Sequence, residues 1–135
     1  MRSSARIVTI LCLALLPAGL AAQPSGDRGE RVRFAAGASS ATVQGRVRGY
    51  QTVTYRVGAR AGQLMNVRLL SHGRFLYFVV RGPGSDDNLF DGPVQGSEAE
   101  LRLPASGDYQ IRVFLMRNAA RRNEAADYRL RIGVE

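Results

Sequence analysis

At 135 residues the chain has room for one domain. All 19 basic residues are Arg, set against 11 Asp and Glu for a formal charge of +8, and they are spread out rather than clustered with aromatics, which does not make a nucleic-acid footprint. One Cys (Cys12) and one His (His72) rule out a disulfide framework and a His/Cys zinc cluster.

The first element is a targeting segment rather than fold. Arg2 and Arg6 precede an apolar run over 7–16, and "PAGLAA" gives a small-residue exit. This is the layout of a secretory signal peptide over 1–22, cleaved near Ala22, and the run is too short for a membrane span of about 20 residues. No membrane partner is expected. Cys12 lies inside the apolar run, so the exported chain is cysteine-free, which suits a bacterial periplasm. Without Arg2 and Arg6, 17 Arg remain. A genomic preference for Arg and an acidic protein surface or cleft as partner both account for the excess.

Residues 23–30, "QPSGDRGE", read as a flexible leader by composition, and 31–135 as the folded domain. From there the apolar period is two. Alternation marks strands at "RVRF" (31–34), at 42–48, and at "QTVTYRV" (51–57), where Val53, Tyr55 and Val57 share a face. "QLMNVRLLS" (63–71) aligns Met65, Val67 and Leu69. "RFLYFVVRG" (74–82) is almost continuously apolar, as a central strand buried on both faces would be. "AELRL" (99–103), "DYQIRVFLM" (108–116) and "DYRLRIGV" (127–134) follow, the last with Tyr128, Leu130, Ile132 and Val134 aligned. Turn signals separate these runs: "GARAG", "SHG", "GPGSDDN", "DGPVQGS" and "PASGD". The expected fold is all-β, a single antiparallel β-sandwich of about eight strands. One connection differs. "MRNAARRNEAAD" (116–127) lacks Gly and Pro and is rich in helix formers, so a short helical turn is expected near 117–124, with Arg117 and Arg121 sharing a face.

Catalytic machinery is sparse. Ser71 and Ser106 have no base in the sequence other than His72, which sits in a turn. Asp86, Asp87, Asn88 and Asp91 form an acidic loop whose spacing matches no calcium signature; a solvated turn is the simpler reading, with a calcium loop or a hydrolytic Asp pair as alternatives. The chain reads as a binding module: no catalytic residue, no metal site and no cofactor is assigned.

Three segments then carry a resemblance: "RGYQTVTY" (48–55), "LPASGDYQIRV" (103–113) and "RNAARRN" (117–123). In this order and spacing the chain resembles the periplasmic inhibitors of goose-type (g-type) lysozyme of Gram-negative bacteria, over about 32–132. "GASSATVQG", "GARAGQLMNV", "GPGSDD" and "YRLRI" belong to the same likeness, whereas 91–98 shows little of it. "SGDY" (106–109) is similar to the SGxY motif shared with inhibitors of invertebrate-type lysozyme.

The resemblance implies a β-sandwich that plugs the active-site cleft of a lysozyme and protects the peptidoglycan. It implies lysozyme-binding residues at Tyr50, Arg117, Arg121, Ser106 and Tyr109, the last two as the residues of the SGxY motif. Each has a plainer reading: Tyr50 as a hairpin tip, Arg117 paired with Asp127 or Glu124, Arg121 solvated, Ser106 shaping a turn, Tyr109 packed in the core. Arg122 matches no family position. "YRVGARAGQ" (55–63) is also similar to secreted sandwich domains of the pre-peptidase C-terminal kind, and the alternative function is such a carbohydrate- or calcium-binding module.

Overall fold

The computed structural model describes residues 26–135; the expected signal peptide and residues 23–25 of the leader lie outside the described residues. Alternating sequence becomes strand: β1 (Asp27–Arg31), β2 (Ser40–Arg48), β3 (Thr52–Ala59), β4 (Leu64–Ser71), β5 (Leu76–Arg81), β6 (Asn88–Asp91), β7 (Glu98–Arg102), β8 (Gly107–Leu115) and β9 (Ala125–Val134). Two short helices interrupt them, α1 (Gly92–Gln95) and α2 (Arg117–Arg121). A five-stranded sheet, ordered β1-β3-β8-β5-β6, faces a four-stranded sheet, β2-β9-β4-β7. The all-β sandwich is as expected, and α2 falls inside the helical turn anticipated over 117–124.

The core is the inward half of each alternation. Val53, Tyr55 and Val57 of β3, Tyr109, Ile111 and Val113 of β8, and Phe78 and Val80 of β5 meet Val47 of β2, Met65 and Val67 of β4, and Leu130 and Ile132 of β9. Fully burying each such aliphatic side chain stabilises the fold by about 1.5–3 kcal/mol.

Three details depart from the expectation. Among the described residues one pairing is parallel: β1 runs alongside β3, Asp27 opposite Thr52. Most of β1 lies in the segment read as a leader. Its sequence, "DRGER", has no apolar face to reveal it, because backbone and charged groups hold it instead. Thr52 N–H donates to the Gly26 carbonyl (2.6 Å), the Thr52 hydroxyl bonds the Asp27 carboxylate, and Arg31 pairs with Asp108 of β8 at 2.6 Å. An edge strand built of charges also discourages pairing with a second chain. The alternation at 31–34 is not a strand; only Arg31 belongs to one. Finally, β5 is the fourth strand of its sheet, and β8 is the central one.

A polar contact joins the sheets through the core, a 2.7 Å hydrogen bond between the hydroxyls of Tyr55 (β3) and Tyr128 (β9). Burial pushes both phenol pKa values up; the shared bond raises Tyr128 further and lowers Tyr55 in part. Each folded-state pKa therefore lies above the unfolded value of about 10. The stability held in these phenols is complete below about pH 10 and is lost as pH rises toward the folded values. The thermal midpoint should fall as pH passes about 10, and Tyr55→Phe/Tyr128→Phe should flatten that fall. A midpoint indifferent to alkali in the parent would contradict the buried pair.

Candidate functional site

Two connections meet at one end of the sandwich. The β2–β3 turn carries Gly49, Tyr50 and Gln51; the β8–β9 connection is α2 followed by Arg122, Asn123 and Glu124. The Gly49 N–H donates to the Glu124 carbonyl (2.8 Å), and Arg48 Nη1 donates to the Asn123 carbonyl (3.3 Å). Gly49 has φ +59°, and a Cβ there would stand 2.9 Å from Asn123 Oδ1, so glycine is what lets the turns close on each other. Asn123 itself takes a left-handed φ of 52°, a conformation asparagine tolerates better than most residues. Tyr50 thus rides on a turn clamped to the end of α2, and 64% of its surface is exposed.

The helix is pinned from below. Ala119 and Ala120 are buried in the core, and Met116, which precedes the helix, donates its N–H to the Phe75 carbonyl (2.9 Å). With 119 and 120 turned inward, the helical period points 117 and 121, four residues apart, outward together. Both Arg are exposed and have no hydrogen bond or ion pair among the described residues. The carboxylates that were candidates to neutralise Arg117 are occupied elsewhere: Asp127 by Arg46 at 3.2 Å, Glu124 by Arg122 at 3.1 Å. Arg122 is further held over the Phe75 ring, 5.9 Å from its centroid. The three arginines of this connection therefore divide into one engaged on its own molecule and two presented to solvent.

Ser106 and Tyr109 are placed differently. They stand at the start of β8, whose far end adjoins Tyr50 (Thr52 faces Phe114, Ala59 faces Gly107), a separation of about 27 Å along nine extended residues. Both are turned to their own chain. Ser106 Oγ accepts the Ala61 N–H (2.9 Å), tying the β7–β8 turn to the β3–β4 turn. Tyr109 is fully buried, its hydroxyl donating to the Ala105 carbonyl (2.6 Å) and accepting from the Ala105 N–H (3.2 Å). The other residues weighed for chemistry are likewise engaged in turns or exposed. Ser71 Oγ donates to the Asp127 carbonyl (2.8 Å) and accepts the Gly73 N–H (3.0 Å), while His72, Asp86 and Asp87 are exposed.

Gly49 and Asn123, whose left-handed backbones let the two turns meet, are not among the site residues that the resemblance implies. Their signal is faint: a glycine before Tyr50, and an asparagine closing a helical run.

Known proteins resemble the chain over most of its length. The chain is 35% identical over 129 residues to the inhibitor of g-type lysozyme of Escherichia coli strain K12, covering 93% of each chain. It belongs to the family of g-type lysozyme inhibitors. The structure of the Aeromonas hydrophila periplasmic inhibitor PliG superposes with a TM-score of 0.74 at 34% identity, covering 81% of this chain and 97% of that one. Salmonella Typhimurium PliG gives 0.67 at 31% identity, with 80% and 98% covered. The pre-peptidase C-terminal domain of a Bacillus anthracis collagenase matches at TM-score 0.53 and 15% identity over 84% of this chain and 98% of that one, a likeness of fold alone. No family model matches the chain.

Proposed function

We propose that this protein is a periplasmic inhibitor of g-type lysozyme that protects peptidoglycan by blocking the enzyme's substrate cleft with Tyr50, Arg117 and Arg121. The family relationship supports the target and the compartment. The observation that supports the site is the joining of the Tyr50 turn to α2, which leaves two unpaired guanidinium groups beside an exposed aromatic.

The chemistry follows from what a lysozyme cleft contains. Hydrolysis of a glycosidic bond depends on carboxyl groups flanking the scissile bond, in a cleft shaped for sugars. A guanidinium group stays charged at any relevant pH and can bond a carboxylate through two parallel N–H donors. A tyrosine offers a rigid ring with a hydroxyl at its tip, suited to a sugar subsite. Tyr and Arg are also the residues most often found to dominate interface energies. Attraction is local: the charge that matters is on α2, not the overall excess of Arg. Ser106 and Tyr109 act in this reading as scaffold, holding the far turns.

The pre-peptidase-type alternative, a carbohydrate- or calcium-binding module, has only the fold likeness behind it. The two readings separate in one assay. The mature protein, mixed with goose-type, chicken-type and invertebrate-type lysozymes on cell-wall substrate, is expected to suppress lysis by the goose-type enzyme. Undiminished lysis by every class at micromolar protein would overturn the proposal.

A further inference from the structure

A third connection reaches the end of the sandwich where Tyr50 and α2 stand. It is the β4–β5 loop, residues 72–75, and the Phe75 carbonyl at its end accepts the Met116 N–H at 2.9 Å. Arg74 and Arg117 each lie one residue from that bond, so their Cα atoms are no more than about 13 Å apart. The loop is braced. Ser71 Oγ, at its root, accepts the Gly73 N–H (3.0 Å) and donates to the Asp127 carbonyl (2.8 Å), and a Cβ on Gly73 would stand 2.8 Å from that of Ala126. Arg74 itself is exposed. We infer that Arg74 is a third cation of the lysozyme-binding surface, meeting an acidic side chain on the rim of the target's cleft while Arg117 and Arg121 enter it. The inference rests on the inhibitor reading and extends its surface from two connections to three.

Charge and position select this partner. Arg74, like Arg117 and Arg121, has no hydrogen bond or ion pair among the described residues. Glu124, which shares a hollow of about 350 Å³ with it, is held by Arg122 at 3.1 Å, and Asp127 of β9 is held by Arg46 at 3.2 Å. Three guanidinium groups without a counter-ion thus stand around one end of the sandwich. Like charges brought together repel one another, and a partner that presents carboxylates relieves the repulsion while forming charge-assisted bonds. The braced loop lowers the ordering cost of such a contact. The Phe75–Met116 bond sets Arg74 beside the residues proposed to enter the cleft, so a protein that encloses Arg117 brings its own surface up to Arg74.

The test compares Arg74→Ala, Arg74→Glu and Arg131→Ala. Arg131 is also exposed but lies six residues, about 20 Å, along β9 from Ala125 at this end, and its loss changes the net charge as much as Arg74→Ala does. The inhibition constant against goose-type lysozyme and the thermal midpoint are measured for each. The inference expects the constant to rise roughly tenfold for Arg74→Ala and about a hundredfold for Arg74→Glu, with the fold intact, and to stay at the parent's value for Arg131→Ala. An inhibiting parent whose Arg74 variants inhibit equally well overturns the third contact and leaves the inhibitor reading standing. An equal loss in Arg131→Ala assigns the effect to overall charge and overturns it too. A parent that inhibits no lysozyme overturns the reading and this contact with it.

Discussion

Replacing Arg117 and Arg121 together with Ala is expected to weaken inhibition of a goose-type lysozyme by about two to four orders of magnitude. A hydrogen bond to a charged group contributes about 1.5–3 kcal/mol, and each 1.4 kcal/mol is a factor of ten in binding. Two such contacts to carboxyl groups in the cleft account for the range. The thermal midpoint should not move. Both side chains are exposed and bond nothing else among the described residues, and the helix is held through Ala119, Ala120 and Met116 rather than through them. Arg122→Ala supplies the internal comparison. It removes an ion pair and a ring contact made within the molecule, so its effect belongs to stability, at most about 1 kcal/mol for an exposed pair. An inhibition constant unchanged in the double variant would place the contact elsewhere on the sandwich.

The second large effect is on stability. Gly45→Val is expected to cost about 2–3 kcal/mol and to lower the thermal midpoint by about 10 °C. Gly45 of β2 sits directly opposite Tyr128 of β9, with both side-chain positions facing the interior. The Tyr128 ring lies across the glycine, and a Cβ there would come 2.6 Å from its Cζ. The ring cannot swing clear without giving up the hydrogen bond that reaches Tyr55 on the facing sheet. Adding an isopropyl group therefore forces either an off-rotamer tyrosine or a broken inter-sheet contact. Calorimetry reads the effect, and a midpoint equal to the parent's would mean that the ring has room to move.

What was legible in the chain follows from which forces leave a mark on residue type. Burial does. The stripe Val53, Tyr55, Val57 and the stripe Tyr128, Leu130, Ile132, Val134 are core in the structure as their alternation implies. The helix at 117–121 was legible for a related reason, since two alanines without a nearby breaker allow a buried turn. Strand β1 was not, because hydrogen bonds to β3 and ion pairs from Arg31 leave no periodic trace. Short β6 and α1 were hidden inside segments rich in Gly, Pro and Asp. There Gly92 lies so close to the Phe78 backbone that a Cβ would come 3.1 Å from its nitrogen, a constraint only the fold reveals.

For the site, resemblance nominated five residues and the fold divides them. Tyr50, Arg117 and Arg121 share one end; Ser106 and Tyr109 are bonded to their own chain at the other. In β5 the apolar run "FLYFVV" breaks the alternation because both faces of the strand carry apolar side chains, Phe78 and Val80 inward, Tyr77 and Val79 outward.

The central claim is that this end of the sandwich occupies the substrate cleft of a g-type lysozyme. The most direct measurement is the pattern of inhibition on a soluble glycan substrate with the mature protein. Occupation of the cleft predicts competitive inhibition, with KM rising in proportion to inhibitor and kcat unchanged. A fall in kcat at constant KM, or turnover that ignores the protein altogether, would contradict it.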